Sequence, residues 1–263
     1  MKFIRFLLHL AATLFLTFLT QIGGILYVFT LLYFRGKGRK KYLYFFGIYL
    51  IFTLIVVPLI APLFGREKIR NSEWIEAHSV FYILANRNYV VPEMNELLAS
   101  VSIELSESYP GMRLVYLDAN FPFVDGFPLL PHLSHDNGKK LDISLIYQTP
   151  DGEVVNTKPS FSGYGFFEPP KPSEYNQIKV CKARGNWQYD YQKYLTFGTF
   201  HDDLTLSEKE TKFLLQSILK QPQLRKVFIE PHLKHRFGLA HPKIRFHGCQ
   251  AVRHDDHIHL QVK

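Results

Sequence analysis

His254-Asp255-Asp256-His257-Ile258-His259-Leu260-Gln261-Val262-Lys263 occupies the last ten positions of the chain. Ile258, Leu260 and Val262 alternate with His257, His259 and Gln261. This is the period of a strand with one face in a core and the other turned to a site. Residues two apart on a strand point the same way, so His257 and His259 share a face. A second polar cluster lies upstream, in Pro131-His132-Leu133-Ser134-His135-Asp136-Asn137-Gly138-Lys139-Lys140-Leu141-Asp142. Ten of the twelve histidines fall at or after His132.

The formal charge of +8 would suit a nucleic-acid binder, but its distribution argues against one. Residues 1–65 hold Lys2, Arg5, Arg35, Lys37, Arg39, Lys40 and Lys41 and no Asp or Glu. Seven of the 31 basic residues are thus spent there, leaving 24 against 23 acidic ones in the remainder. No nucleic-acid partner is expected. Cys181 and Cys249 are too few for a disulfide framework, and either bridge each other or stay thiols; neither sits in a CxxC motif.

Phe6–Phe34 and Tyr42–Phe64 are apolar, and each exceeds the roughly 20 residues that span a bilayer. A cleaved leader is the rival reading of the first, disfavoured by the lack of a small-x-small site and by the second span. The basic loop 35–41 is expected to be cytoplasmic, which puts the N-terminus and everything after Arg66 outside the cytoplasm. Pro58 and Pro62 are expected to kink the outer end of the second span. The organisation read from this is a two-helix transmembrane hairpin over 1–65, contacting the lipid bilayer, and an extracytoplasmic domain over 66–263.

That domain reads as α+β with a central antiparallel sheet. Helices are expected over 92–107 and 208–220, the second opened by the capping-box pair Ser207 and Glu210. Strands are expected over 113–117, 143–147, 226–230 and 256–262. The Gly-, Pro- and Ser-rich stretch 152–175 reads as a long loop. Asp118 and Asp125 read as turn residues.

His135 and Asp142 are seven apart, with Gly138 between them to turn the loop back over the start of a strand. Catalytic zinc usually takes three protein ligands and leaves a position for water. Neither HxxGxxxD nor HxH is specific alone, because both spacings arise by chance. A chain that carries both, the second as HDDHxH, reads as a mononuclear zinc site. His257 is the favoured base beside it. Asp256 ranks lower, because a regular strand turns it to the other face. Arg245 or Arg253 is offered as a binder of a substrate carboxylate or as a stabiliser of the oxyanion. Trp187, Tyr189, Tyr191 and Tyr194 read as packing residues.

Ser134-x-His135-x-x-Gly138-x-x-x-Asp142 resembles the first signature of the LAS metallopeptidases, the group of the D-alanyl-D-alanine peptidases and the hedgehog signalling domain. His254-Asp255-Asp256-His257-Ile258-His259 resembles the second signature of the penicillin-insensitive murein endopeptidases in that group, as does His132-x-x-His135. The resemblance covers about 131–144 and 254–262 and leaves out the membrane hairpin. It implies that His135, Asp142 and His259 bind Zn2+, that His257 is catalytic, and that His254 and His132 act close to the metal or on substrate. It implies hydrolysis of peptidoglycan peptides, hence a bacterial inner-membrane protein with its catalytic domain in the periplasm. The anchor and the low cysteine count depart from those enzymes. Two rivals share the ligands. One is a zinc-stabilised, non-hydrolytic module of the hedgehog type, binding wall or protein, which needs no imidazoles beside the metal. The other is a deacylase with Asp136 as its acid or base.

Overall fold

Apolar helices account for most of the first 64 residues, in a computed structural model that describes residues 2–263. Helix α1 is Lys2–Thr20, α2 is Gly23–Tyr33, and α3 runs through Lys40–Phe64. Two of them, α1 and α3, are long and apolar enough to cross a membrane. At 11 residues α2 is about 16 Å long, well short of the roughly 30 Å hydrocarbon core. The α+β class and the apolar helices are as expected, but the single span through 6–34 is not.

Gln21 breaks it, with φ 66 in the left-handed region. Gly23 and Gly24 then let α2 fold back along α1. A Cβ on Gly23 would stand 2.6 Å from Thr20 Oγ1, and one on Gly24 would stand 2.5 Å from the Thr13 carbonyl oxygen. Further along, His9 Nδ1 meets Tyr27 Oη at 2.8 Å. The reversal brings the N-terminal end of α1 back to the basic loop: Arg5, His9, Tyr27, Arg39, Lys41 and Tyr42 line one cavity. The N-terminus and loop 35–41 therefore lie at the same end, not at opposite ends as two spans around the loop would require. Within α3 a π-helical segment, Phe52–Val56, precedes Pro58, and the last turn, Ala61–Phe64, is 3-10. Pro58 and Pro62 both sit at the starts of helical segments, where a missing N–H costs little.

By contacts the chain divides into two units. The first combines Met1–Ile69, Val80–Pro92 and Asp118–Lys139. Its strands Glu67–Lys68 and Tyr89–Val90 pair antiparallel. Its segment 118–139 is held by buried Arg66, whose guanidinium donates to the Phe121 carbonyl and to Asp125, and by Gln21 Oε1, which accepts from Phe123 N at 3.0 Å.

The second unit combines Arg70–Ser79, Glu93–Leu117 and Lys140–Lys263 and contains a six-stranded sheet. We label its strands β1 (Ile75–Ala77), β2 (Leu114–Tyr116), β3 (Lys140–Ser144), β4 (Leu224–Phe228), β5 (Ile244–Arg245) and β6 (His257–Val262). Their order is β5-β4-β6-β3-β2-β1. The four middle strands are mutually antiparallel, but β5 on β4 and β1 on β2 are parallel. The sheet is therefore mixed rather than wholly antiparallel. Leu141, Ile143, Ile258, Leu260 and Val262 are fully buried, each contributing about 1.5–3 kcal/mol.

Helix α4, Pro92–Ser108, buries Met94, Leu97, Leu98, Val101 and Leu105, the expected face. Helix α5 is Gln177–Ala183, and α6 is Glu208–Lys220 as read from the sequence. The capping box is not made: Ser207 Oγ donates to the Glu210 carboxylate instead of capping the backbone, and the Ser207 N–H donates to the Ile146 carbonyl. The expected strand 143–147 is split, since β3 ends at Ser144 and Tyr147–Gln148 joins a separate three-stranded sheet. Cys181 and Cys249 form a disulfide, which ties α5 to the segment after β5.

Candidate metal centre

Register creates the centre. His259 on β6 lies directly across from Asp142 on β3, and His257 lies across from Ser144. His259 Nδ1 is 2.8 Å from Asp142 Oδ1. Ligand atoms of His135, Asp142 and His259 all fall within 4.8 Å of one another, and all three residues are buried, so the cluster could hold a metal ion. His135 Nδ1 donates to the Ala119 carbonyl at 2.7 Å, so Nε2 is the ring nitrogen whose lone pair a metal would take. Gly138, with φ 78, supplies the turn between the two signature residues.

Asp142 has a second support. Tyr164 Oη donates to Asp142 Oδ2 at 2.8 Å and fixes the carboxylate's orientation. Tyr164 is flanked by Gly163 and Gly165, both at positive φ, and a Cβ on Gly165 would run into the Gln192 carbonyl. The Gly-Tyr-Gly triplet is thus a tight bend that delivers a phenol to the centre from within the long loop.

Beside these residues stand two more imidazoles. His257 Nδ1 is 2.6 Å from Asp256 Oδ1, leaving Nε2 to face Asp142 Oδ1 at 3.7 Å. Asp256 is held in turn by the Gly165 N–H, 2.6 Å from its other oxygen. A regular strand from residue 256 would turn Asp256 to the opposite face. The strand begins at His257, so strict alternation does not govern its neighbour. Burial alone would depress the His257 pKa, but the carboxylates of Asp142 and Asp256 override it and push it up to about 9. The His254 ring lies 4.9 Å from that of His257 and 5.7 Å from that of His259. Burial, then the neighbouring His257 and His259, hold it well below the usual histidine range, so it is neutral.

A buried polar network anchors the loop before β6. Glu230 accepts from Tyr189 Oη at 2.8 Å and from the His254 backbone N–H at 3.0 Å. Arg253 pairs with Asp255 and lies over the Phe167 ring, 3.9 Å from its centroid. It is buried, so it is a pillar under the site rather than a substrate binder. Arg245 is exposed on β5. Tyr189 is buried, whereas Trp187 and Tyr194 are exposed.

His132, Asp118 and Arg87 form a separate hydrogen-bonded chain. His132 Nδ1 is 2.9 Å from Asp118 Oδ2, and Asp118 accepts two hydrogen bonds of 2.6 Å from Arg87. Burial would raise the Asp118 pKa, but Arg87 and then His132 hold it below the ordinary carboxylate range. Asp118 is therefore a buried ion-pair residue, not the turn residue its sequence context suggests. The His132 and His135 rings are 5.5 Å apart, as expected of a His-x-x-His turn, in which His135 N donates to the His132 carbonyl.

Of the histidines without a partner at ligand spacing (His201, His232, His235, His241 and His247), His247 joins this cluster. Its ring packs on Phe228, centroids 4.3 Å apart, and lies 5.4 Å from that of His254 and 6.3 Å from that of His259. It stands seven positions before His254, in the segment that follows β5, and the Phe228 ring it packs on belongs to β4. No protein-family model matches this chain, and no curated protein matches it.

Proposed function

We propose that the chain is a membrane-anchored zinc metallopeptidase of the LAS type that hydrolyses peptide bonds of peptidoglycan, most nearly in the manner of a murein endopeptidase. One observation carries the reading: His135, Asp142 and His259 gather as a possible ligand set, and the imidazoles of His257 and His254, the first oriented by Asp256, stand beside two of its members. A purely structural metal site has no use for those imidazoles. Zinc held there would act as a Lewis acid and lower the pKa of a water to about 7.

The chain's own residues handle the protons. His257 is tied to Asp256 at Nδ1, so it exchanges its proton at Nε2 and can deliver it to the leaving amine. His254, neutral at the working pH, is an acceptor for a substrate N–H or a water. His132, oriented by Asp118, is a hydrogen-bonding group for substrate.

The membrane arrangement supports a periplasmic site. The N-terminus and loop 35–41 gather the basic residues of this segment at one end of the helices, which the positive-inside rule assigns to the cytoplasm. Helix α3 then carries the chain to the opposite side, where peptidoglycan is found. The Cys181–Cys249 disulfide suits that oxidising compartment.

The test is to incubate the zinc-loaded full chain in detergent with cross-linked muropeptide dimers and identify products by mass. Conversion of dimers to monomers, abolished by His257→Ala, is expected. Release of a terminal D-alanine alone would reassign the enzyme to carboxypeptidase action. An intact dimer with zinc bound would refute hydrolysis of this substrate.

A further inference from the structure

An open cavity lies at the basic end of the helices. It measures about 480 Å3 and is lined by Arg5, Arg39 and Lys41, with Leu8, Tyr27 and Tyr42 among its apolar walls. At it lies the His9–Tyr27 pair, whose hydrogen bond joins α1 to α2. Three cationic side chains thus converge from two places in the sequence, brought together by the turn at Gln21. Residues 1–65 contain no carboxylate to neutralise them. Gly38, at φ 55, gives the loop the turn that brings Arg39 and Lys41 to the wall.

We infer that this cavity binds the phosphate of an anionic phospholipid headgroup. The inference rests on the membrane reading of α1 and α3 but not on the peptidase chemistry. A pocket that is cationic at the membrane surface and apolar on its flanks matches a headgroup phosphate with acyl chains running along the helices, whereas a free phosphate has no use for the apolar wall. Each Lys or Arg near an anionic membrane surface adds to the attraction, and a basic pocket between helices on the cytoplasmic side concentrates it. Bound lipid would hold α1, α2 and loop 35–41 together at the cytoplasmic end.

The experiment uses the full chain in nanodiscs of phosphatidylcholine with 30% phosphatidylglycerol, an arbitrary working fraction of roughly a third that supplies anionic lipid. Native mass spectrometry reads which lipids stay bound. The cavity variant is Arg5→Gln/Arg39→Gln/Lys41→Gln. The control, Lys2→Gln/Arg35→Gln/Lys37→Gln, removes the same charge from residues that do not line the cavity. Wild type and control are expected to retain phosphatidylglycerol selectively, and the cavity variant to lose about tenfold or more of that retention. Equal loss in both variants would mean diffuse attraction and overturn the proposal. So would retention without headgroup preference. In detergent, short-chain phosphatidylglycerol is expected to raise the melting temperature where inorganic phosphate at equal concentration does not; equal protection by phosphate would overturn the lipid assignment. A chain that stays soluble without detergent and enters no nanodisc would overturn it together with the membrane reading, while the muropeptide assay still judges the peptidase reading by itself.

Discussion

Asp142 and His259 face each other across one antiparallel rung, residues 117 positions apart in sequence whose side-chain atoms stand 2.8 Å apart. A proton shared there competes with a metal ion for the same lone pairs. Zinc binding to the full chain should therefore release protons, and its affinity should weaken as the solution is acidified. Isothermal titration in buffers of different ionisation enthalpy measures the release. An apparent heat that does not depend on the buffer would show that no proton is displaced.

Asp256 orients His257 without belonging to the ligand set. Asp256→Asn should leave zinc stoichiometry unchanged and lower muropeptide cleavage by about 10–100-fold, the usual cost of losing a partner that orients a group at a metal site. Tyr164→Phe removes the donor to Asp142 and should instead weaken zinc affinity. A variant pair that failed to separate metal affinity from turnover would contradict these two assignments.

The metal-free His257 pKa of about 9 lies above the 6.5 of an unfolded histidine. The stabilisation it confers is complete below pH 6.5 and is lost as pH rises through about 9. A divalent cation next to the ring opposes its protonation, so zinc should bring the value down. NMR titration of the His257 ring with and without zinc checks both statements; a value that stays put on loading would place the metal elsewhere.

Lys158 behaves in the opposite sense. It is buried, its Nζ donating to the Leu145 carbonyl at 3.0 Å, and burial lowers its pKa to about 7 from 10.5. The unfolded chain binds the extra proton between those values, so this residue makes stability rise with pH across about 7 to 10.5. Lys158→Met should flatten that rise and raise stability most near and below pH 7. Denaturant midpoints measured across the range decide it.

The Cys181–Cys249 disulfide closes 68 residues of chain. Replacing both cysteines by serine should cost about 2–4 kcal/mol of stability. It should also loosen the segment that carries His247 from β5. Chemical denaturation and hydrogen exchange over 246–250 report the two effects separately.

Much of the centre was legible because two short motifs are local: His135 to Asp142 spans a turn at Gly138, and His257 with His259 needs only strand alternation. The supports were not, because each depends on distant chain. Tyr164 reaches Asp142 from a loop whose composition reads as irregular, and its signal is the pair of glycines around it. Arg87 neutralises Asp118 across 31 residues, so Asp118 looks like an ordinary turn residue. The period of β6 was legible, but whether its neighbours ran parallel was not, since pairing direction leaves no mark in a two-residue strand such as β5. The first apolar stretch misled for a similar reason. Hydropathy is blind to the turn at Gln21, and only the Gly23-Gly24 pair hints that another helix approaches closely there.

Zinc content is the most direct measurement of the central claim. The full chain, purified in detergent and dialysed against trace zinc, should carry one zinc ion per chain by elemental analysis, and Asp142→Ala should carry none while keeping its helical circular dichroism. A folded wild-type chain that binds no zinc, or an Asp142→Ala variant that binds it as well as wild type, would contradict the assignment of His135, Asp142 and His259 as a metal centre.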